Sequence, residues 1–307
     1  MKFFPRILQY GILALTLLFL PLQAFAAPVV AVSIKPLHSL AAAVMQGMGE
    51  PALIVEGTGS EHGYQLRPKD ARLLAGADIV FWAGEEMEGF LVKPLESLAA
   101  RARQVALSQA PGVQLLDMRA DGDFETHTHR ETHNHHKDLH FWLDPQNAKA
   151  AVAQIAAVLA QADPANAARY SHNARAYNAR LDALTADIAR ELAPVRGRPF
   201  IVFHDAYQYF ERRFDIMAAG SVTLDPEHGV GAKRLAQVRR KVKTAGPVCV
   251  FSEPQFEPRL VMTVIEGTEA QTGVLDPLGA DIAAGAGQYP ALVRNLAASL
   301  KNCLSRE

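Results

Sequence analysis

The sequence predicts an α/β fold: two similar lobes with parallel sheets flanked by helices, joined by one long rigid helix, with a cleft between the lobes. Three observations predict it. Short apolar runs alternate with helix-length segments in both halves of the 307-residue chain, which is the pattern of parallel βα units. No Gly or Pro interrupts the stretch between Pro164 and Pro194. ADIVFWAGEEMEGFLV at 77–92 is echoed by GPVCVFSEPQFEPRLV at 246–261, with strand, acidic turn and helix in both.

Residues 1–26 read as a secretory signal peptide. Lys2 and Arg6 precede a mostly apolar run from Ile7 to Leu20, which Pro21 breaks before the small-residue site Ala24-Phe25-Ala26. The run falls short of the ~20 residues a membrane span needs. The mature chain is expected to begin at Ala27, in the periplasm, without a lipid anchor because no cysteine lies near the site. Losing Lys2 and Arg6 leaves 29 basic against 32 acidic residues, a net charge of −3. No basic stripe with interleaved aromatics occurs, so nucleic acid is not an expected partner.

The N-terminal α/β lobe is expected over 27–162. Val29–Ile34 is a buried strand by its continuous apolar run. Pro36 and His38 lead into an Ala-rich helix to about Met48, and Leu53–Val55 is a second strand. Gly57–Gly63 (GTGSEHG) is a loop by composition. Pro68 opens a helix to Leu74, Asp78–Trp82 is a strand, Met87–Ala100 a helix and Gln104–Leu107 strand-like. Asp144-Pro145 caps a helix to about Gln161.

The linking helix is expected over 163–193. Tyr170, Tyr177, Leu181, Leu184, Ile188 and Leu192 recur at spacings of three, four and seven, one face of a helix. The C-terminal α/β lobe is expected over 194–307. Strands are read at Phe200–Phe203, Val248–Phe251 and Val274-Leu275, and helices at His204–Phe214, Ala232–Val242 (basic and amphipathic) and Tyr289–Leu304. The only cysteines are Cys249 and Cys303. An even count in an exported chain points to a disulfide, with two buried thiols as the alternative.

Six of eleven histidines lie between Arg119 and Pro145: His127, His129, His133, His135, His136 and His140. The first five sit in a polar segment, 119–138, too poor in apolar residues to order itself by burial; it reads as a mobile loop able to capture extra zinc. His140 is followed by Phe141, Trp142 and Leu143 and so enters packed structure. His62 lies in a loop and His204 closes a strand. Ligands in open α/β sheets gather at the carboxyl ends of strands. Two facing lobes could therefore bring His62, His140 and His204 together, and three imidazoles plus one oxygen suit Zn²⁺. Taken singly, each is more often structural. Asp205 reads as a first-turn helix acid, His228 as a turn residue, and His38 and His172 as packing or surface residues. Glu85, Glu86 and Glu88 read as a solvated acidic turn, and Trp82 and Trp142 as core.

SIKPLHSL, SEHGYQLRPKD, the His-rich loop, HFWLDP, FHDAYQYF, SEPQF and LDPLG together span nearly all of the mature chain. In them the chain resembles the metal-binding solute-binding proteins that serve ABC transporters, of the zinc-uptake type. The resemblance implies two lobes, a linking helix and one metal in the cleft, held by His62, His140 and His204. It implies Glu61 as fourth ligand, with a carboxylate at Asp276 or water as the alternative, and a Cys249–Cys303 disulfide. The His-rich loop departs from the family pattern: it is short and has few acids compared with the long zinc-type versions.

The expected function is a monomeric periplasmic receptor that captures Zn²⁺ and hands it to the membrane permease of an ABC importer, and not an enzyme. Alternatives are a periplasmic zinc buffer or chaperone, a manganese receptor, and a secreted zinc hydrolase. A third imidazole favours zinc over manganese. Neither H-E-x-x-H nor G-x-S-x-G occurs.

Overall fold

The computed structural model describes residues 27–119, 136–224, 226, 229–245 and 249–305. The predicted signal peptide, His127, His129, His133, His135 and His228 lie outside the described residues.

Two four-stranded parallel sheets form the frame. In the first, β1 (Val30–Val32), β2 (Ala52–Leu53), β3 (Ile79–Trp82) and β4 (Arg103–Ala106) lie in the order β2-β1-β3-β4. Helices α1 (Lys35–Val44), α2 (Pro68–Gly76) and α3 (Gly89–Ser97) connect them. A two-residue antiparallel hairpin follows, β5 (Leu116–Asp117) with β6 (Lys137–Asp138), then α4 (Pro145–Ala162) and α5 (Ala167–Leu192). The second half runs β7 (Phe200–His204), α6 (Gln208–Phe214), β8 (Gly220–Thr223), α7 (Ala232–Ala245), β9 (Cys249–Ser252), α8 (Arg259–Ile265), β10 (Gln271–Val274) and α9 (Gln288–Leu304). Its sheet order is β10-β9-β7-β8. Read from the other edge, this is the order of the first sheet, with β9 in the place of β3. The echo between 77–92 and 246–261 is thus a repeat of topology.

The α5 reading holds in detail: Tyr170, Tyr177, Leu181, Leu184, Ile188 and Leu192 are all buried, with Ala174 between them. The helix has 26 residues, about 39 Å at 1.5 Å per residue. It packs against α1, α4 and α9, and so touches both halves. Three expectations shift. The helix expected from His204 starts at Gln208, because His204 closes β7. β8 joins the second sheet as an edge strand that the weak run GSVT did not announce. The expected loop 119–138 is narrower, since Lys137 and Asp138 pair with Leu116 and Asp117.

Side chains on β7 alternate between two cores, as strand geometry requires. Phe200 and Val202 join a large cluster that extends from Val30 to Leu304 through Phe81, Trp142, Leu181 and Tyr289. Ile201 and Phe203 face a smaller one with Val222, Val238, Val242 and Val264, under α7 and α8. The large core belongs to both halves. Hydrogen bonds reinforce the join: Trp142 Nε1 donates to the Pro277 carbonyl at 2.9 Å, and the Tyr289 hydroxyl donates to the Trp142 carbonyl at 2.7 Å. Arg213 holds Asp144 with two bonds of 2.7 and 2.6 Å. Trp142 is fully buried, whereas Trp82 is half-buried.

Cys249 and Cys303 form a disulfide across a sequence separation of 54. It ties the end of α9 to the start of β9. In the chain-entropy account such a closed loop contributes about 4 kcal/mol.

Candidate metal centre

Each candidate ligand is delivered from the carboxyl end of a strand. Glu61 and His62 lie in the loop after β2. That loop is pinned by Tyr64, whose hydroxyl donates to Asp70 Oδ2 at 2.9 Å. Asp70 in turn caps α2 by accepting from the Arg67 backbone N–H at 2.8 Å. His140 follows β6 and precedes a buried 3₁₀ turn, Phe141–Leu143. Asp144 then caps α4, accepting from the Gln146 N–H at 2.8 Å, as the Asp-Pro pair predicts. His204 is the last residue of β7.

These four residues converge. One ligand atom from each of Glu61, His62, His140 and His204 lies within 4.8 Å of the others. The three imidazole rings form a near-equilateral triangle, with centroids 5.2, 5.3 and 5.6 Å apart. Nε2 of His140 is 3.3 Å from Nε2 of His204 and 3.6 Å from Glu61 Oε1. Glu61 is 0% exposed, and neither of its oxygens has a hydrogen-bond partner among the described residues. An ionised carboxylate in that position costs several kcal/mol unless a cation meets it. Three nitrogens and one oxygen around a common centre are a donor set for a divalent ion of zinc type.

Two carboxylates aim the imidazoles. His140 Nδ1 donates to Asp138 Oδ1 at 2.7 Å, and the same oxygen accepts the His140 backbone N–H at 2.9 Å. His204 Nδ1 donates to Glu253 Oε2 at 2.7 Å, and Glu253 Oε1 accepts the His204 N–H at 3.2 Å. With Nδ1 of each ring turned to a carboxylate, Nε2 faces the cluster and would be the nitrogen offered to a metal once it carries no proton, the arrangement of a carboxylate–histidine–metal relay. Gln208 steadies Asp138 in turn, donating to Oδ2 at 2.6 Å. Neither Asp138 nor Glu253 emerged from sequence reasoning. The spacing D-x-H at 138–140 was the available signal for the first; Glu253 is 49 residues from its partner and gave none.

Charge follows this geometry. Burial disfavours the charged form of His140, but the Asp138 carboxylate outweighs it, with Glu61 adding, and lifts the imidazole to about 10. Burial would raise Glu61; the His140, His62 and His204 imidazoles prevail and hold it at about 2. The site is thus anionic at Glu61 and keeps a proton on His140 at neutral pH.

A cavity of about 380 Å³ opens onto the cluster, lined by His62, His140, Met118, Arg119, Asp205 and Gln208 among others. Asp205 is not a first-turn acid: it precedes α6 and pairs with Arg119 at 2.7 Å, while Arg119 also holds Glu211 at 2.7 Å. Burial, aided by Asp138 and Glu211 and opposed by Arg119, raises Asp205 to about 6. Glu85 and Glu86 are exposed as expected, but Glu88 is buried, a correction to the solvated turn. It accepts from the Ala83 and Gly84 N–H groups at 2.5 and 3.3 Å, and burial raises it to about 7. Gly84 has φ +148°, and a Cβ there would meet Ser108 Oγ at 2.9 Å, so this turn requires glycine.

Asp276 is spent elsewhere. Its oxygens accept from Gln255 Nε2 at 2.8 Å and from the N–H groups of Leu278, Gly279 and Ala280 at 3.0, 2.9 and 2.6 Å. It is not a member of the four-residue cluster. His136 is exposed beside β6 and His172 is exposed on α5. His38 is buried, with Nε2 2.8 Å from the Pro51 carbonyl, a packing role.

A family profile described as zinc-uptake complex component A, periplasmic (ZnuA) matches residues 30–303. The chain belongs to the ZnuA family. It is 53% identical over 306 residues to the high-affinity zinc uptake system protein ZnuA of Brucella suis, covering 90% of this chain and 92% of that one. The ZnuA of Yersinia pestis is 37% identical, covering 97% and 98%. A crystal structure of a ZnuA deletion mutant with zinc bound superposes with a TM-score of 0.76 at 25% identity, over 92% of this chain and 99% of that one. These ZnuA comparisons account for the two-sheet fold and the long helix.

Two expectations follow for this centre. A zinc ion held by His140 would have to displace its proton, so apparent affinity is expected to rise with pH up to about 10. Calorimetry in buffers of different ionisation enthalpy should register about one proton released near neutral pH; affinity independent of pH between about 6.5 and 8.5 would contradict it. Asp138→Asn should weaken zinc by about 10–100-fold at high pH. The loss should shrink toward neutral pH, where the variant has less proton to displace, and an unchanged pH slope would refute the relay.

Proposed function

We propose that the chain is a periplasmic receptor that captures Zn²⁺ and delivers it to an ABC-type importer. The observation that carries the reading is Glu61: among the described residues it is a buried carboxylate with no hydrogen-bond donor within 3.5 Å, facing three imidazoles of which His140 comes to 3.6 Å. Membership of the ZnuA family supports it, and that family consists of binding receptors. His62, His140 and His204 would supply the nitrogens and Glu61 the oxygen. Three imidazoles favour zinc over harder ions such as manganese.

The finer assignments are part of the same proposal. Lobes 27–162 and 194–307 flank the linking helix 163–193. A monomer passes the ion to a membrane permease. The leader is removed before Ala27; among the described residues no helix is long and apolar enough to cross a membrane. Mass spectrometry of protein recovered from the periplasm should give Ala27 as the first residue, and an intact leader would refute the export scheme.

The binding test is zinc calorimetry on a chain lacking residues 120–135, which keeps the Arg119 clamp and β6. One tight site should remain, and its loss would move the function to the His-rich segment as a buffer. Within that background, His62→Ala, His140→Ala and His204→Ala should each weaken zinc by more than the ~10–100-fold typical of losing an outer partner. Glu61→Gln should weaken it more than Asp276→Ala. The reverse order would make Asp276 the fourth ligand.

A further inference from the structure

Helix α7 carries six cations and no acid: Lys233, Arg234, Arg239, Arg240, Lys241 and Lys243. Removing these six from the 29 basic residues expected in the mature chain leaves 23 against 32 acids, so the remainder carries −9. Positive charge is therefore concentrated on one helix of an otherwise acidic protein. At 100° per residue, Leu235, Val238 and Val242 share the face turned to the smaller core, and Val238 and Val242 are buried there. Lys233, Arg240 and Lys243 lie on the opposite stripe and are exposed. Among the described residues none of these three has an ion-pair partner, whereas Arg239 is tied to Glu266, 3.9 Å from its carboxylate and 2.9 Å from its carbonyl. The adjoining α8 adds exposed Arg259 and the exposed Met262.

An internal role does not explain this stripe. The core contacts of α7 use its apolar face, and like charges one and two turns apart repel, which costs helix stability. A basic helix face suits an anionic surface, and its apolar residues are already committed to the core, so contact would be peripheral and salt-sensitive. We infer that the exposed stripe of α7, Lys233–Arg240–Lys243, docks the protein reversibly on anionic phospholipid headgroups of the membrane. The partner is a lipid surface in preference to a protein because the apolar residue that shares the stripe with Lys233, Arg240 and Lys243 is the small Ala236, and protein interfaces are centred on large buried apolar anchors. The inference goes beyond the receptor reading and does not depend on it.

The test is flotation of the exported protein with vesicles of phosphatidylcholine alone or mixed with phosphatidylglycerol, without zinc or permease. Binding is expected only to the phosphatidylglycerol vesicles and should fall steeply as salt is raised. The triple variant Lys233→Glu, Arg240→Glu, Lys243→Glu should lower partitioning by more than about tenfold, and the charge-neutral Gln triple by less. Thermal melting and zinc calorimetry of the variants serve as fold controls. Should the triple variants unfold, the salt and lipid dependence of the unaltered protein decides alone. Equal binding to both vesicle types, no binding at low salt, or folded variants that bind as well as the parent would each overturn the inference. In a further arm with permease built into the same vesicles, retention there and not on the lipid-only vesicles would overturn the inference and assign the stripe to an acidic protein face. Failure here leaves the zinc result untouched, since the two are read by different measurements.

Discussion

The contact between Glu61 and the three imidazoles sets the terms for the rest of the structure. A carboxylate removed from water and given no hydrogen-bond donor needs positive charge. His62, His140 and His204 can offer it as protons or can instead share a metal with it. Much of the architecture serves to keep these four groups together. Tyr64 and Asp70 pin the loop that holds Glu61 and His62. The buried Phe141–Leu143 turn and the Asp144 cap fix the segment behind His140. The end of β7 fixes His204.

The outer groups tune that contact. Asp138 and Glu253 each hold a ring by its Nδ1 and also accept the same residue's backbone N–H, so ring and main chain are fixed together. The strength of the Asp138 contact has two opposing effects. It would make His140 a better ligand to a metal, and it makes the proton harder to remove. Selectivity for a divalent cation over solvent protons is therefore set by pH as well as by ligand type.

The sequence was most informative where the physics is local or periodic. The buried face of α5 was legible residue by residue, because helical spacing alone defines it. The Asp144-Pro145 cap was legible for the same reason. His62, His140 and His204 could be picked out individually as loop or strand-end residues, but their convergence depended on how two sheets face each other, which no local pattern encodes. The same limit hid Glu253 and the Arg119–Asp205–Glu211 cluster, whose partners lie far apart in the chain. Glu88 misled for another reason: its acidic neighbours Glu85 and Glu86 are solvated, and only the turn at Gly84 directs its carboxylate inward. β8 was missed because four residues of mixed polarity carry little strand signal.

The core shared by the two halves has a kinetic meaning. A protein built as two jaws on a hinge would lose its cargo whenever thermal motion opened the jaws. Here, separating the halves would pull Trp142 and Tyr289 out of a common interior and break the hydrogen bonds they make across it. Spontaneous opening on that scale is expensive. For an ion held at Glu61 and the three histidines, local yielding of the loop that carries Glu61 and His62 would cost less, because it leaves that interior closed. Release would then be set by one short peptide segment and not by the parting of the two halves.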